Sequence, residues 1–100
     1  MMKCQQCFKD LAEENLIASI SGSIMGDECT DAYYFCPACK VYSVETRWDN
    51  FTGIETSGTS GPLSQEEGDV IVNRIKACDT PWDKKCRCES HSRHFNDTLD

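Results

Sequence analysis

Eight cysteines and two histidines are the residues of this chain whose types and spacing could do chemistry. Two pairs share the spacing Cys-x-x-Cys, Cys4/Cys7 and Cys36/Cys39, with 28 residues between them. Each pair makes a tight turn that presents both sulfurs to one side, so two such turns can surround one ion with four thiolates. Tetrahedral S4 coordination suits zinc, and iron is the competitor because the same ligand set admits both. Four protein thiolates leave no position for water, which makes such a centre structural rather than catalytic. The bland reading, in which the four thiols are buried small apolar residues, does not account for a spacing that occurs twice.

A second group lies within seventeen residues: Cys78, Cys86 and Cys88, followed by His91 and His94. Three cysteines and one histidine are an ordinary structural zinc set. His91 is favoured as the fourth ligand because a short loop after Cys88 brings it back easily, and His94 is the alternative. Cys29 stands apart from both groups, either a buried apolar residue or a ligand reaching across to the second site. Mixed Cys/His ligation also serves iron–sulfur clusters, which keeps an iron cofactor as the alternative to two zinc ions.

These residues sit in a chain of 100 residues, 39% hydrophobic and 27% charged, enough for a single small domain over 1–100. So short a chain buries little apolar surface and needs a staple. The N-terminus reaches Cys4 without an apolar export signal, and the apolar-leaning stretch 16–25 is broken by Ser19, Ser21, Gly22 and Ser23. The expectation is a soluble, cytoplasmic protein outside any membrane, where thiols stay reduced and metal is a better staple than disulfides.

The net charge of -7 disfavours a nucleic-acid partner. The one basic region, residues 74–93, carries Arg74, Lys76, Lys84, Lys85, Arg87 and Arg93. Its bland role is to offset thiolate charge. Lys84, Lys85 and Arg87, which could meet a phosphate backbone, and the tryptophans Trp48 and Trp82 are the candidate contacts for a partner, since interface hot spots favour Trp and Tyr.

Enzyme chemistry fails on named residues. A zinc deaminase needs His-x-Glu ahead of Pro-Cys-x-x-Cys, and here the order is Cys36-Pro37-Ala38-Cys39 with no histidine before it. Haem attachment needs a histidine where Phe8 and Lys40 stand. Neither pair has the strand-helix setting of thioredoxin-like redox chemistry. With no nucleophile, oriented base and open metal position together, the chain is not expected to be an enzyme, and no small-molecule substrate is inferred.

The elements that must position these ligands are legible in part. Ala18, Ile20 and Ile24 alternate with serines as in a half-buried strand, and Leu11 to Glu14 suits a short helical turn. Ala32 to Phe35 leads into Cys36, and Tyr42, Val44, Thr46 and Trp48 alternate with polar residues beyond Cys39, so two strands flank a cysteine turn. Asn50 to Pro62, rich in Thr, Ser and Gly without apolar periodicity, reads as a flexible loop spanning 50–63. Ser64 and Glu67 have the form of a capping box, and Val70, Ile71 and Ile75 recur at helical spacing, predicting a helix from Gln65 to Ala77.

The run Tyr34-Phe35-Cys36-Pro37-Ala38-Cys39-Lys40-Val41-Tyr42, with the earlier Cys4/Cys7 pair, resembles a zinc ribbon, related in ligand set to the iron-holding rubredoxins. The resemblance covers roughly residues 3–48. It implies a small antiparallel sheet of about three short strands carrying two zinc knuckles, with Cys4, Cys7, Cys36 and Cys39 as ligands. In many ribbons glycine follows the second cysteine of a knuckle; here Phe8 and Lys40 stand there. The expected fold is thus a small metal-stapled α+β domain. A zinc-ribbon half occupies 1–49, and 64–100 holds one helix and a C-terminal Cys/His metal loop. The expected role is a two-zinc interaction module or accessory subunit with a protein partner. Rubredoxin-like or iron–sulfur electron transfer is the first alternative, and a nucleic-acid-binding ribbon the second.

Overall fold

The computed structural model describes residues 2–50 and 53–96. A four-stranded antiparallel meander in the order β3-β4-β5-β6 is its centre: β3 Leu16–Ile24, β4 Asp27–Cys36, β5 Val41–Asp49 and β6 Glu55–Ser64. A small hairpin of β1 Met2–Lys3 and β2 Asp10–Leu11 precedes it, with a 3-10 turn at Glu13–Asn15 between the two sheets. Helix α1, Gln65–Lys76, and the short helix α2, Glu89–His94, follow. The strands of nine and ten residues are longer than the three short ones expected.

Period-two alternation divides the sheet into two faces. One face carries Ile20, Cys29, Tyr33, Tyr42 and Val44, all buried, against Val72 and Ile75 of α1 and Phe95 beyond α2. On the other face Cys36 joins Met2, Cys4 and Leu11 of the hairpin in a second, smaller core. Ser43, also on this face, is fully buried because its Oγ accepts a hydrogen bond from the Gln5 N–H at 2.9 Å. The Cys4–Cys7 turn is thereby pinned to β5, an inner strand of the sheet.

α1 begins as its sequence dictates. The Ser64 Oγ accepts from the Glu67 N–H at 3.1 Å and the Ser64 hydroxyl donates to the Glu67 carboxylate at 3.1 Å. The acidic first turn (Glu66, Glu67) and basic last turn (Arg74, Lys76) also complement the helix dipole.

The flexible loop expected over 50–63 is corrected: Glu55–Ser64 is strand β6, paired from Glu55 opposite Asp49 to Ser64 opposite Val41. Phe51 and Thr52 lie outside the described residues. The strand is exposed at nearly every position, so its residues bury no apolar face and leave no alternation to read. The backbone ladder to β5 holds it. A bulge sets Gly61 and Pro62 against Ser43, and Gly61 takes a φ of 118° that favours glycine. The expected C-terminal loop is likewise partly helical, as α2. Among the described residues no helix is long and apolar enough to cross a membrane.

Candidate metal centres

The first centre is built from two turns of like construction. Cys4 follows β1 and Cys36 ends β4; in each case the residue four positions on returns its N–H to the cysteine carbonyl, Phe8 to Cys4 at 2.9 Å and Lys40 to Cys36 at 2.7 Å. Phe8 (φ 63°) and Lys40 (φ 56°) are left-handed, the conformation glycine adopts freely. The knuckle geometry therefore survives the absence of glycine, at a local strain of about 1–2 kcal/mol per residue. Lys40→Gly should accordingly raise stability by about 0.5–1 kcal/mol, the relieved strain less the added unfolded-chain entropy. Urea unfolding of the metal-loaded protein measures it.

The four ligand atoms of Cys4, Cys7, Cys36 and Cys39 all lie within 4.8 Å of one another, and the Cys7 and Cys36 sulfurs are 4.0 Å apart. Metal–sulfur bonds of about 2.3 Å would put the edge of a tetrahedron at about 3.8 Å. The donors thus stand at the separation one ion demands. Cys4 and Cys36 are fully buried and Cys7 is exposed. Burial works to raise the Cys4 thiol, but the N–H groups of Cys7 and Gln6 outweigh it and bring its pKa down to about 7. Cys39 is pushed up to about 12, chiefly by its hydrogen bond with Cys7 and then by burial. Four sulfurs so close cannot all hold negative charge without a cation among them.

The second centre gathers Cys78, Cys86, Cys88 and His91, again all within 4.8 Å. Cys78 follows α1; Cys88 is the N-cap of α2 and His91 lies in that helix, where residues three apart share a face. The Cys78 sulfur is 3.8 Å from that of Cys86 and 3.5 Å from that of Cys88. His91 Nδ1 is 3.4 Å from the Cys78 sulfur and 3.3 Å from the Cys88 sulfur. Around a single tetrahedral ion, sulfur–nitrogen separations of about 3.6 Å are expected. Burial raises Cys78 to about 11, whereas Cys86 is lowered by the Cys88 N–H and the Thr80 hydroxyl. His91 is fully buried, and its Nε2 has no hydrogen-bond partner among the described residues.

His94 and Cys29 fall outside both groups. His94 Nε2 meets Asp31 Oδ2 at 2.6 Å, and its ring packs edge-on against Phe95 and Tyr33. Cys29 lies in the sheet core opposite Trp48 and Gly22, and its thiol is pushed up to about 11 by burial and then by Asp31. The Asp31 carboxylate, which also accepts from the Thr46 hydroxyl at 2.7 Å, is the residue that takes His94 away from the sulfurs. Nothing in the local spacing marks it, because strand pairing brings Asp31 to Thr46 and the packing of α2 on the sheet brings it to His94.

The candidate partner contacts differ in exposure and in what they touch. Trp82 is 71% exposed and Trp48 37%. Lys84 pairs with Glu28, and Arg87 Nη1 donates to the carbonyls of Lys84 and Cys86, so both help fold the loop that carries Cys86 and Cys88. Lys85 is exposed.

Fold and sites together define a cysteine-rich α+β protein with two potential metal centres, one all-sulfur and one of three sulfurs and a nitrogen. No family model, curated protein or solved structure matches this chain.

Proposed function

We propose that the protein is a small two-zinc interaction module, an accessory subunit that docks on a larger enzyme or assembly in the cytoplasm and has no catalytic activity of its own. The observation that carries the reading is that each donor group is a complete set of four at the separations of a single tetrahedral ion. A centre closed in this way holds structure and leaves no position for a reacting water. Three sulfurs and an imidazole are ordinary zinc ligands, and an iron–sulfur cluster would spread its four ligands over two or more irons and so hold some of them farther apart than a single ion does. Cys4, Cys7, Cys36 and Cys39 would hold the first zinc as a zinc ribbon does, and Cys78, Cys86, Cys88 and His91 the second. The exposed Trp82 and Trp48 supply apolar anchors for a protein partner.

The test is metal analysis with a visible spectrum on protein purified without oxygen. Two zinc ions per chain and no colour support the reading. Iron with visible absorption that bleaches on reduction replaces it with electron transfer. Salt-sensitive nucleic-acid binding abolished by charge reversal at Lys84, Lys85 and Arg87 replaces it with a nucleic-acid module. In the same assay Cys29→Ser should leave the metal content unchanged. It should cost about 1–2 kcal/mol in urea unfolding, since a hydroxyl is then buried in an apolar core.

A further inference from the structure

The two edges of the central sheet are treated differently. On β3 the chain meets its own edge at Ser21, whose N–H donates to the Pro81 carbonyl at 2.8 Å, and Lys84 of the same loop pairs with Glu28 of β4. Among the described residues β6 pairs with β5 alone, and all its side chains are exposed save the half-buried Leu63. From Thr56 to Ser60 it has none of the usual protections of an open edge, neither charge nor proline nor bulge. This stretch is in continuous register with β5, Glu55 opposite Asp49 through to Ser60 opposite Val44. Alternate N–H and C=O groups of such a strand point outward, ready for another ladder.

Charge indicates what that ladder holds. Glu28, Asp49 and Glu55 form one cross-strand row over β4, β5 and β6, and they line a hollow of about 190 Å3 with Thr30 and Arg47. Lys84 takes Glu28, and Arg47 Nε lies 3.2 Å from Glu45. Asp49 and Glu55 remain directly opposite one another, a destabilising like-charge pair with no cation of its own among the described residues. A second copy of this chain would bring no remedy, because β6 carries no Lys or Arg and each chain has a net charge of -7.

We propose that the edge from Glu55 to Ser60 receives an extended segment of a partner protein as a fifth strand, with a lysine or arginine of that segment beside Asp49 and Glu55. Main-chain hydrogen bonds give the affinity and the cation sets orientation and choice of partner. The inference rests on the interaction role proposed above and gives it a partner chemistry, but its geometry is that of the sheet and not of the metal centres.

The experiment titrates the metal-loaded, isotope-labelled full chain with synthetic eight-residue Thr-Val repeat peptides, one ending in two lysines and one in two glutamates. Amide spectra and hydrogen exchange provide the readout. The lysine peptide should shift amides of residues 55–60, slow exchange at alternate ones, and bind at least about tenfold more tightly than the glutamate peptide. Asp49→Lys with Glu55→Lys, both at exposed positions, should reverse that preference. A lysine peptide N-methylated at alternate residues should not bind. Equal binding of the two charged peptides, undiminished binding of the methylated one, or shifts centred elsewhere overturn the proposal. Protection of the same amides in concentrated protein without peptide overturns it in favour of self-pairing. Metal content is measured on the same sample, so a chain holding two zinc ions that binds neither peptide refutes this inference and leaves the metal reading standing.

Discussion

Stripping the metal with a strong chelator is expected to unfold both ends of the molecule, with loss of most of its cooperative stability. Structural zinc sites contribute about 10–16 kcal/mol at neutral pH, comparable with the whole 5–15 kcal/mol of a typical domain. The dependence is unusually direct here because the N-terminal core consists of Met2, Cys4, Leu11 and Cys36, two of which belong to the candidate ligand set. The hairpin strands β1 and β2 are two residues each and could not persist alone. Between α1 and α2 the chain has no regular structure, and Cys78, Cys86 and Cys88 are its anchors.

Single substitutions separate the two centres. Cys36→Ala should leave one zinc per chain and release residues 2–15 to rapid hydrogen exchange while α1 stays protected. Cys78→Ala should likewise leave one zinc, and open residues 77–96 instead. If the chelated protein keeps its near-UV circular dichroism and its exchange protection at both ends, the metal-staple account is wrong.

Gly68→Ala is expected to destabilise the protein by about 3 kcal/mol, although alanine in a helix interior normally gains about 1 kcal/mol over glycine. A Cβ on Gly68 would stand 2.6 Å from both Cγ and Cε2 of Tyr42, inside the contact distance of any real pair. The ring has little room to yield. It is buried, lies 5.1 Å from the Phe35 ring, and its hydroxyl donates to Asp69 Oδ1 at 2.6 Å on the same helix. α1 must then lift from β5, or the Tyr42 hydrogen bond must break. Thermal and urea unfolding of the metal-loaded variant measure the cost; a neutral or stabilising effect would show that α1 does not lie on Tyr42 as described.

Local sequence was sufficient wherever the determining forces are local. Paired spacing of Cys4/Cys7 and Cys36/Cys39 marks two turns because a Cys-x-x-Cys turn is closed by its own backbone. Ser64 and Glu67 mark the start of α1 because an N-cap hydrogen bond spans only three residues. Ile20, Tyr42 and Val44 announce their strands because burial on one face writes a period of two. Where the force is long-range, the residues are silent. β6 is a strand only because β5 offers it a ladder, and its Thr, Ser and Gly side chains bury too little to leave a pattern. His91 and not His94 stands among the sulfurs, and His94 instead meets Asp31, 63 residues away, where α2 packs on the sheet. Cys29 could be set apart from the metal groups only once the sheet placed it opposite Trp48 and Gly22, in the core. The ligand inventory is thus written in one dimension. The assignment of each donor to a centre, and the edge the sheet leaves open, were decided by tertiary structure, since strand pairing joins residues whose separation along the chain carries no signal.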